Sequence, residues 1–556
     1  MKIYRGEQAI ALLTDASLLS AMRSLSSQVP WFTGFHDPAF AVAWYRSYKD
    51  EFEAVVLVAP PHGDRLDGIW LLAQSRIDGT IVSAGAWQAE YQSWLADPEK
   101  SAEFLEKAMA CMDSEFPGRR ITLRFTPEAL GLEWLDTHAL GRRCIREVMR
   151  RPVLRVDQEE NIVQLFRNKT TRNQLNRLKQ LGPIEFSRVS CPREAQQLLP
   201  IISQYYDLRQ VSIHAVAPFQ DDPRKACFHH ALMHHPDLLH TTVLRINGEL
   251  VSAHLGISSP REVHLGILGY APQLGKLSLG KVHLCLLAKH LRETGFTRLD
   301  LTPDGAYKER FANDHDWVGT LTIFPSNRQR GIQTIRRSVR SLAKRAYHGV
   351  RSRVIVKSAS NPRHHESNGR NGFSGRDERH KEQSARHAAR SLHILWRRDD
   401  GFTRSTACKR DALGDLLLPL PHNAKVSRSM LIEESLRLCE DGKHIYTRTE
   451  EQVLRLVGWL RIDDSEANGA MDGKTQASPC RLSCGFLNLG TIGQDHLVVE
   501  MMEAMLCDVA QIQQVEECIA EVMGVSDGFT RLMEARGFEI ESTAPLAMIT
   551  THHTLQ

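Results

Sequence analysis

The sequence predicts a mixed α/β fold (α+β mixed sheets) built from repeated units, and three observations predict it. Short strand-like runs alternate with single helices, which is the mark of sheets covered by helices. The first 325 residues echo themselves. A basic, polar stretch then separates them from a third segment with globular character. The expected organisation is a first unit over 1–150, a second over 151–325, a basic helix and linker over 326–392, and a third unit over 393–556.

The second copy of the repeat is the clearer one. Thr241–Ile246 reads as a strand, and Asn247-Gly248 is a strong hairpin signal. Glu249–Ser258 and Glu262–Tyr270 follow as strands, split by the turn Ser259-Pro260-Arg261. A glycine-bearing loop, Gln273–Gly280, leads into a helix, Lys281–Thr294, and a strand, Arg298–Thr302, ends at Pro303. The first copy offers strands at Ala54–Val58, Ile69–Arg76 and Thr80–Gly85, a helix at Ser101–Ser114 and a strand at Ile121–Thr126. The closing strands read Leu-Arg-Phe-Thr-Pro at 123–127 and Leu-Asp-Leu-Thr-Pro at 299–303, an offset of 176. Gly68 and Gly248 differ by 180 and Tyr91 and Tyr270 by 179, so three landmarks share nearly one offset. A loop placed at a helix N-terminus after a central strand matters chemically, because the first-turn N–H groups lack intrahelical partners and attract phosphates.

The net charge of +4 hides a split. Between Arg328 and Arg398 stand 19 Lys/Arg against 4 Asp/Glu, a surplus of 15, so the rest of the chain carries a deficit of 11. Ile332, Ile335, Val339 and Leu342 recur at helical spacing among arginines and predict an amphipathic basic helix. The polar residues after Val356 predict a linker. This stretch reads either as a solvated tether or as a contact for an anionic partner. The longest apolar runs fall well short of the about 20 residues that span a bilayer. The N-terminus lacks a signal-peptide pattern, and eleven scattered cysteines without CxxC fit reduced thiols, so a cytoplasmic location is expected. His230 and His234 sit at i,i+4 but no third ligand accompanies them, so no metal site is expected.

In the last third, His444–Thr449 and Gln452–Ile462 read as a hairpin around Glu450-Glu451. Arg481–Leu489 reads as a strand, His496–Asp508 and Asp527–Arg536 as helices, and Phe538–Ser542 as a closing strand.

The arrangement and its motifs resemble the GNAT acyltransferase superfamily. Within it they resemble the tandem FemAB/CelD-type proteins associated with cellulose and other exopolysaccharides. Leu299-Asp300-Leu301-Thr302-Pro303-Asp304-Gly305-Ala306-Tyr307-Lys308-Glu309-Arg310-Phe311 is similar to the segment D-F-x-x-G-x-x-x-Y-K-x-x-F/W of that family, with glycine one place later and Tyr-Lys one place earlier. Leu279-Gly280-Lys281 resembles its glycine at a helix start. Ala89-Glu90-Tyr91-Gln92 and Trp31–Trp44 resemble the first domain's x-E-Y-Q and aromatic segments, and the basic helix Leu165–Leu181 also fits. The hairpin at 446–460 and the Ser526–Phe538 tail resemble a single, divergent GNAT domain.

The resemblance implies acyl transfer (EC 2.3.1.-) from acetyl-CoA, or a longer acyl-CoA, to an amine or hydroxyl, with CoA as co-substrate and a saccharide or its precursor as a candidate acceptor. It implies that a splayed strand, here Glu262–Tyr270, offers a backbone N–H to the thioester carbonyl. The CoA site would comprise Leu268, Gly269, Tyr270, Gly275, Lys276, Ser278, Gly280 and Lys281. Asp300 and Tyr307 would be the candidates for the base that accepts the nucleophile's proton and the acid that returns one to the thiolate, and Lys308 could neutralise phosphate or substrate charge. His36, Glu90, Tyr91 and Gln92 would hold the acceptor. Each residue also has a plain structural reading: Asp300 as a turn cap, Tyr307 as a packed aromatic, Lys308 as a surface cation. Two other functions stay open, an aminoacyl transferase fed by charged tRNA and a non-catalytic scaffold with degenerate CoA sites.

Overall fold

In the computed structural model, the described residues are 1–60, 65–303, 305–336, 390–397, 407–422, 424, 426–463, 480–487, 495–513, 517–523, 531–532 and 539–545. They form two compact units. The N-terminal unit comprises Met1–Ser203, Asp222–Tyr270 and Leu277–Glu366, and the C-terminal unit Gln204–Asp221, Ala271–Lys276 and Ser367–Gln556. Most of the basic linker, and the helix expected at Asp527–Arg536 except for Arg531 and Leu532, lie outside the described residues. Residues 327–336 are helical, with Ile332 and Ile335 exposed. Among the described residues no helix is long and apolar enough to cross a membrane.

A 13-stranded mixed sheet organises the N-terminal unit. Its strands are β1 Lys2–Arg5, β2 Phe52–Val58, β3 Gly68–Ser75, β4 Ile81–Ser83, β5 Leu95–Ala96, β6 Ile121–Pro127, β7 Cys144–Arg155, β8 Ile184–Val189, β9 Leu239–Ile246, β10 Glu249–Ser258, β11 Glu262–Tyr270, β12 Arg298–Asp300 and β13 Asp314–Ile323. The helices are α1 Gly6–Leu13, α2 Ala16–Ser26, α3 Pro38–Ser47, α4 Ser101–Glu115, α5 Glu159–Arg167, α6 Lys169–Leu181, α7 Pro192–His214, α8 Pro223–Leu232 and α9 Leu279–Glu293. The latter half of α7 counts with the C-terminal unit.

The strand order β1-β2-β3-β4-β6-β13-β7-β12-β11-β10-β9-β8 explains the sequence repeat. Each half holds an antiparallel meander, then a helix, then a strand parallel to the last of the meander: β6 beside β4, and β12 beside β11. The halves then exchange their closing strands. β7 follows β6 in the chain but pairs with β12, and β13 follows β12 but pairs with β6. β7 and β13 pair with each other through ten residues, Asp314↔Val153 to Ile323↔Cys144, at the centre of the sheet.

The basic segment read as one helix, 165–181, is two. Asn168 breaks it and caps α6, its Oδ1 accepting from the N–H groups of Thr170 and Thr171 at 3.0 and 3.4 Å. The amphipathic helix α9 buries Leu284, Leu287 and Leu291 against Leu154, Val263, Leu265 and Leu299. Each such leucine contributes about 1.5–3 kcal/mol on burial.

The C-terminal unit carries a 7-stranded sheet. Its strands are β14 Arg390–Arg397, β15 Cys408–Arg410, β16 His444–Glu450, β17 Val453–Asp463, β18 Cys480–Leu487, β19 Glu517–Met523 and β20 Glu539–Pro545, in the order β15-β16-β17-β18-β19-β14-β20. Its helices are α10 Arg428–Glu440 and α11 Asp495–Gln513. The expected hairpin turns through Glu451 and Gln452, both at positive φ. α11 connects β18 to the parallel strand β19, so a meander, a helix and a parallel strand recur here. Leu208, Leu416, Ile432, Ile445 and Val457 are fully buried in its core.

Candidate active site

The site is built where β11 and β12 part. Their parallel register covers Glu262↔Arg298, Val263↔Leu299 and His264↔Asp300. Beyond Asp300 the chain turns away through Thr302, held at φ 59°, while β11 runs on to Tyr270 paired with β10. The notch between the strands therefore has His264 and Asp300 at its vertex.

A charged network fills that vertex. Asp300 is fully buried. His264 Nδ1 donates to its Oδ2 at 2.6 Å, Arg151 Nη1 lies 3.4 Å from the same oxygen, and the Thr302 N–H donates to Oδ1 at 2.8 Å. Burial alone would push the Asp300 carboxyl up, but the His264 bond and the Arg151 charge outweigh it and hold the group below the ordinary carboxylate range. Arg151 also pairs with Asp316, which binds Arg298 at 2.6 Å, and with Glu262 at 3.9 Å. With Nδ1 donating to Asp300, His264 Nε2 is left as an acceptor, and it receives the Ser259 hydroxyl at 2.7 Å.

The first half of the unit contributes Tyr91, whose ring lies 5.1 Å from that of His264 and under the Arg151 guanidinium at 5.2 Å. Burial and the Asp300 charge push its hydroxyl well above the usual phenol range. Glu90 is half-buried, with Arg124 at 3.8 Å, and burial raises its carboxyl although Arg124 and Lys308 oppose the shift. Gln92 is a fastener: its amide donates to the carbonyls of Ala86 and Ala89 and its Oε1 accepts from the Arg124 N–H. His36 is buried; its Nδ1 accepts from the N–H and hydroxyl of Thr33 and its Nε2 donates to Ser93 Oγ at 2.8 Å. Burial pushes it down to about 4, so it stays neutral.

Tyr307 is 43% exposed. Lys308 Nζ donates to Thr302 Oγ1 at 2.7 Å and to the Thr302 and Pro303 carbonyls, which ties the segment after β12 back to the strand end.

The residues expected to hold CoA divide into two groups. Leu268, Tyr270 and Gly280 come together: a Cβ at Gly280 would stand 3.3 Å from the Tyr270 ring and 3.6 Å from Leu268. Gly269, in β11, is locked against β10, its carbonyl accepting from Ser252 Oγ at 3.0 Å. Ser278 begins α9 in the left-handed region, φ 51°, and its side chain caps no N–H. The start of this 15-residue helix therefore keeps uncapped donors, with Lys281 in its first turn. Gly275 and Lys276 count with the C-terminal unit. There Lys276 Nζ binds Asp441 at 2.9 Å, and a Cβ at Gly275 would collide with the Glu440 carboxylate.

Sequence reasoning missed His264, Arg151, Ser259 and Asp316. His264 stood inside a correctly read strand, where a single histidine at an inward position was the available signal. Of the pair considered for metal, His234 Nε2 meets the Gln196 side-chain amide at 2.9 Å.

A family model described as an acetyltransferase (GNAT) domain matches residues 166–310, which span α6 to the Lys308 segment and include the notch and the start of α9. No curated protein matches the chain. Among solved structures, FemX is 9% identical, with 59% of this chain and 98% of that chain covered at a TM-score of 0.44. A conserved protein of unknown function from Bacteroides thetaiotaomicron is 11% identical, covering 55% and 97% at 0.39. L-PGS from Bacillus licheniformis is 12% identical, covering 58% and 94% at 0.37. Similarity at this level carries no assignment of activity, and the GNAT domain over 166–310 is the class the comparisons give.

Proposed function

We propose that this protein is an acyl-CoA-dependent N- or O-acyltransferase whose active site is the notch between β11 and β12. The observation that carries the reading is the adjacency of that notch to the uncapped start of α9 within the matched GNAT segment. In this reading the pyrophosphate sits on the N–H groups at Ser278–Gly280, with the Lys281 side chain adding charge. The pantetheine runs along Leu268–Tyr270, and a β11 N–H polarises the thioester carbonyl, an effect worth several kcal/mol in a water-excluded site. Asp300, buried and bonded to His264, acts by positioning and by charge. Tyr307, exposed beside Lys308, is the acid that returns a proton to the CoA thiolate. The acceptor enters past Glu90 and Tyr91, with His36 and Gln92 fixing the wall behind them; a saccharide-linked amine or hydroxyl in exopolysaccharide assembly is the acceptor class we favour. The C-terminal unit, with its own meander, helix and parallel strand, is in this reading a divergent, non-catalytic relative of the same fold.

The test is thiol release from acetyl-CoA by the full chain. The reading expects a roughly 100-fold loss in Tyr307→Phe and near-complete loss in Gly280→Glu. Wild-type rates retained by both variants would refute it.

One observation favours a second reading. Arg167, Lys169, Arg172, Arg177 and Lys179 are exposed, and none makes an ion pair among the described residues. Such a face suits the phosphates of an aminoacyl-tRNA donor. Thermal stabilisation by tRNA but not by CoA would favour that reading over the first.

A further inference from the structure

The turn Ser259-Pro260-Arg261 looks in the sequence like punctuation between two strands. In the fold it carries the outer end of a linear hydrogen-bond chain. Ser259 Oγ donates to His264 Nε2 at 2.7 Å, and His264 Nδ1 donates to Asp300 Oδ2 at 2.6 Å. Both histidine nitrogens have the polarity that removing a proton from a serine requires. His264 and Asp300 are shielded, at 1% and 0% exposure, and Ser259, itself buried at 8% exposure, is the member of the chain that lines a groove of about 860 Å³ within the N-terminal unit. That volume is in the range of small-molecule sites. The Gly34 N–H donates to Ser259 Oγ at 2.9 Å and favours negative charge on that oxygen. A side chain at Gly34 would collide with the Ser258 carbonyl, so glycine is what allows this approach. Asp300 is kept ionised by Arg151 and the Thr302 N–H, so it can support an imidazolium.

We infer that Ser259, His264 and Asp300 are a nucleophilic relay that accepts an acyl group from an ester or thioester bound in this groove. The lining supplies Met22, Phe32, Leu238 and Phe296 for an apolar acyl chain and Arg23 and His235 for a polar end. In the first step Ser259 Oγ attacks the acyl carbon and its proton passes to His264 Nε2. The carbon–sulfur or carbon–oxygen bond then breaks, and the leaving thiol or alcohol departs with that proton. In the second step water, an amine or an alcohol gives a proton to His264 and takes the acyl group. Ser259 Oγ leaves and recovers the proton. The relay shares His264 and Asp300 with the vertex of the notch, but the groove that Ser259 lines includes none of Leu268, Tyr270, Ser278, Gly280 or Lys281, and the chemistry needs no CoA.

The experiment is to treat the full chain with a fluorophosphonate, which phosphonylates activated serines, and to map the adduct by peptide mass spectrometry. The adduct is expected on Ser259, forming at least about 100-fold faster than on Ser27, an exposed serine of the same groove without a histidine partner. His264→Gln is expected to lower the Ser259 rate by a similar factor. The wild-type comparison of the two serines stands even where the variant does not fold. No adduct on Ser259, or one formed there no faster than on Ser27, would overturn the inference, and neither result bears on thiol release from acetyl-CoA.

Discussion

Asp300 stays charged in the core because His264, Arg151 and the Thr302 N–H all answer it. Replacing Arg151 by methionine would leave Asp300 and Asp316 without their shared cation, and breaking a buried pair from one side costs about 3–5 kcal/mol. The expected result is a fall of that size in urea-denaturation stability. Four further histidines are held neutral by burial: His240 is pushed down to about 2, and His229, His254 and His283 to about 3. Their unfolded value is about 6.5, so below that pH the unfolded chain binds protons that the folded chain refuses. Stability should be level above about pH 7 and fall as pH drops below about 6.5, by roughly 2 kcal/mol per histidine at pH 5. Asp300, also depressed, adds a loss of the same sign at still lower pH. Denaturation curves between pH 7.5 and 5 check this, and His283→Leu should shallow the slope by about one proton.

At the scale of elements, local signals decided what could be read. The Asn247-Gly248 turn, the alternation in β9 to β11 and the apolar face of α9 place those elements within a few residues of where they stand. β7 resisted because Arg146, Glu147, Arg150 and Arg151 interrupt any apolar pattern; its place at the sheet centre comes from pairing with β12 and β13, which is a tertiary fact. β12 stops at Asp300 rather than Thr302 because the Asp300 carboxylate takes the Thr302 N–H and turns the chain. Of the candidate site, Asp300, Tyr91 and Glu90 were legible from motif resemblance, but the partners that define their chemistry lie on distant strands with no shared periodicity. The start of α9 gives a prediction at this scale. Gly280→Ala brings a methyl to 3.3 Å from the Tyr270 ring, a tight contact that relaxes by a few tenths of an ångström. CoA affinity should drop by several-fold in that variant, with stability changed by less than about 1 kcal/mol, as read by paired calorimetric and thermal-melt measurements.

Across the whole molecule, the exchange of closing strands makes the two halves of the N-terminal unit dependent on each other. A fragment 1–150 keeps β6 with only its β4 edge paired and truncates β7 without β12 or β13, leaving central strand edges exposed. It should show no cooperative melt by circular dichroism, whereas 1–325 should melt in one transition. Binding of CoA at the notch and the start of α9 decides between an acyl-CoA transferase and the other readings. Isothermal calorimetry of the full chain with CoA should show one site in the wild type and at least about tenfold weaker binding in Gly280→Glu, a loss of 1.4 kcal/mol or more. No heat of binding in the wild type, or equal affinity in the two proteins, would contradict the account.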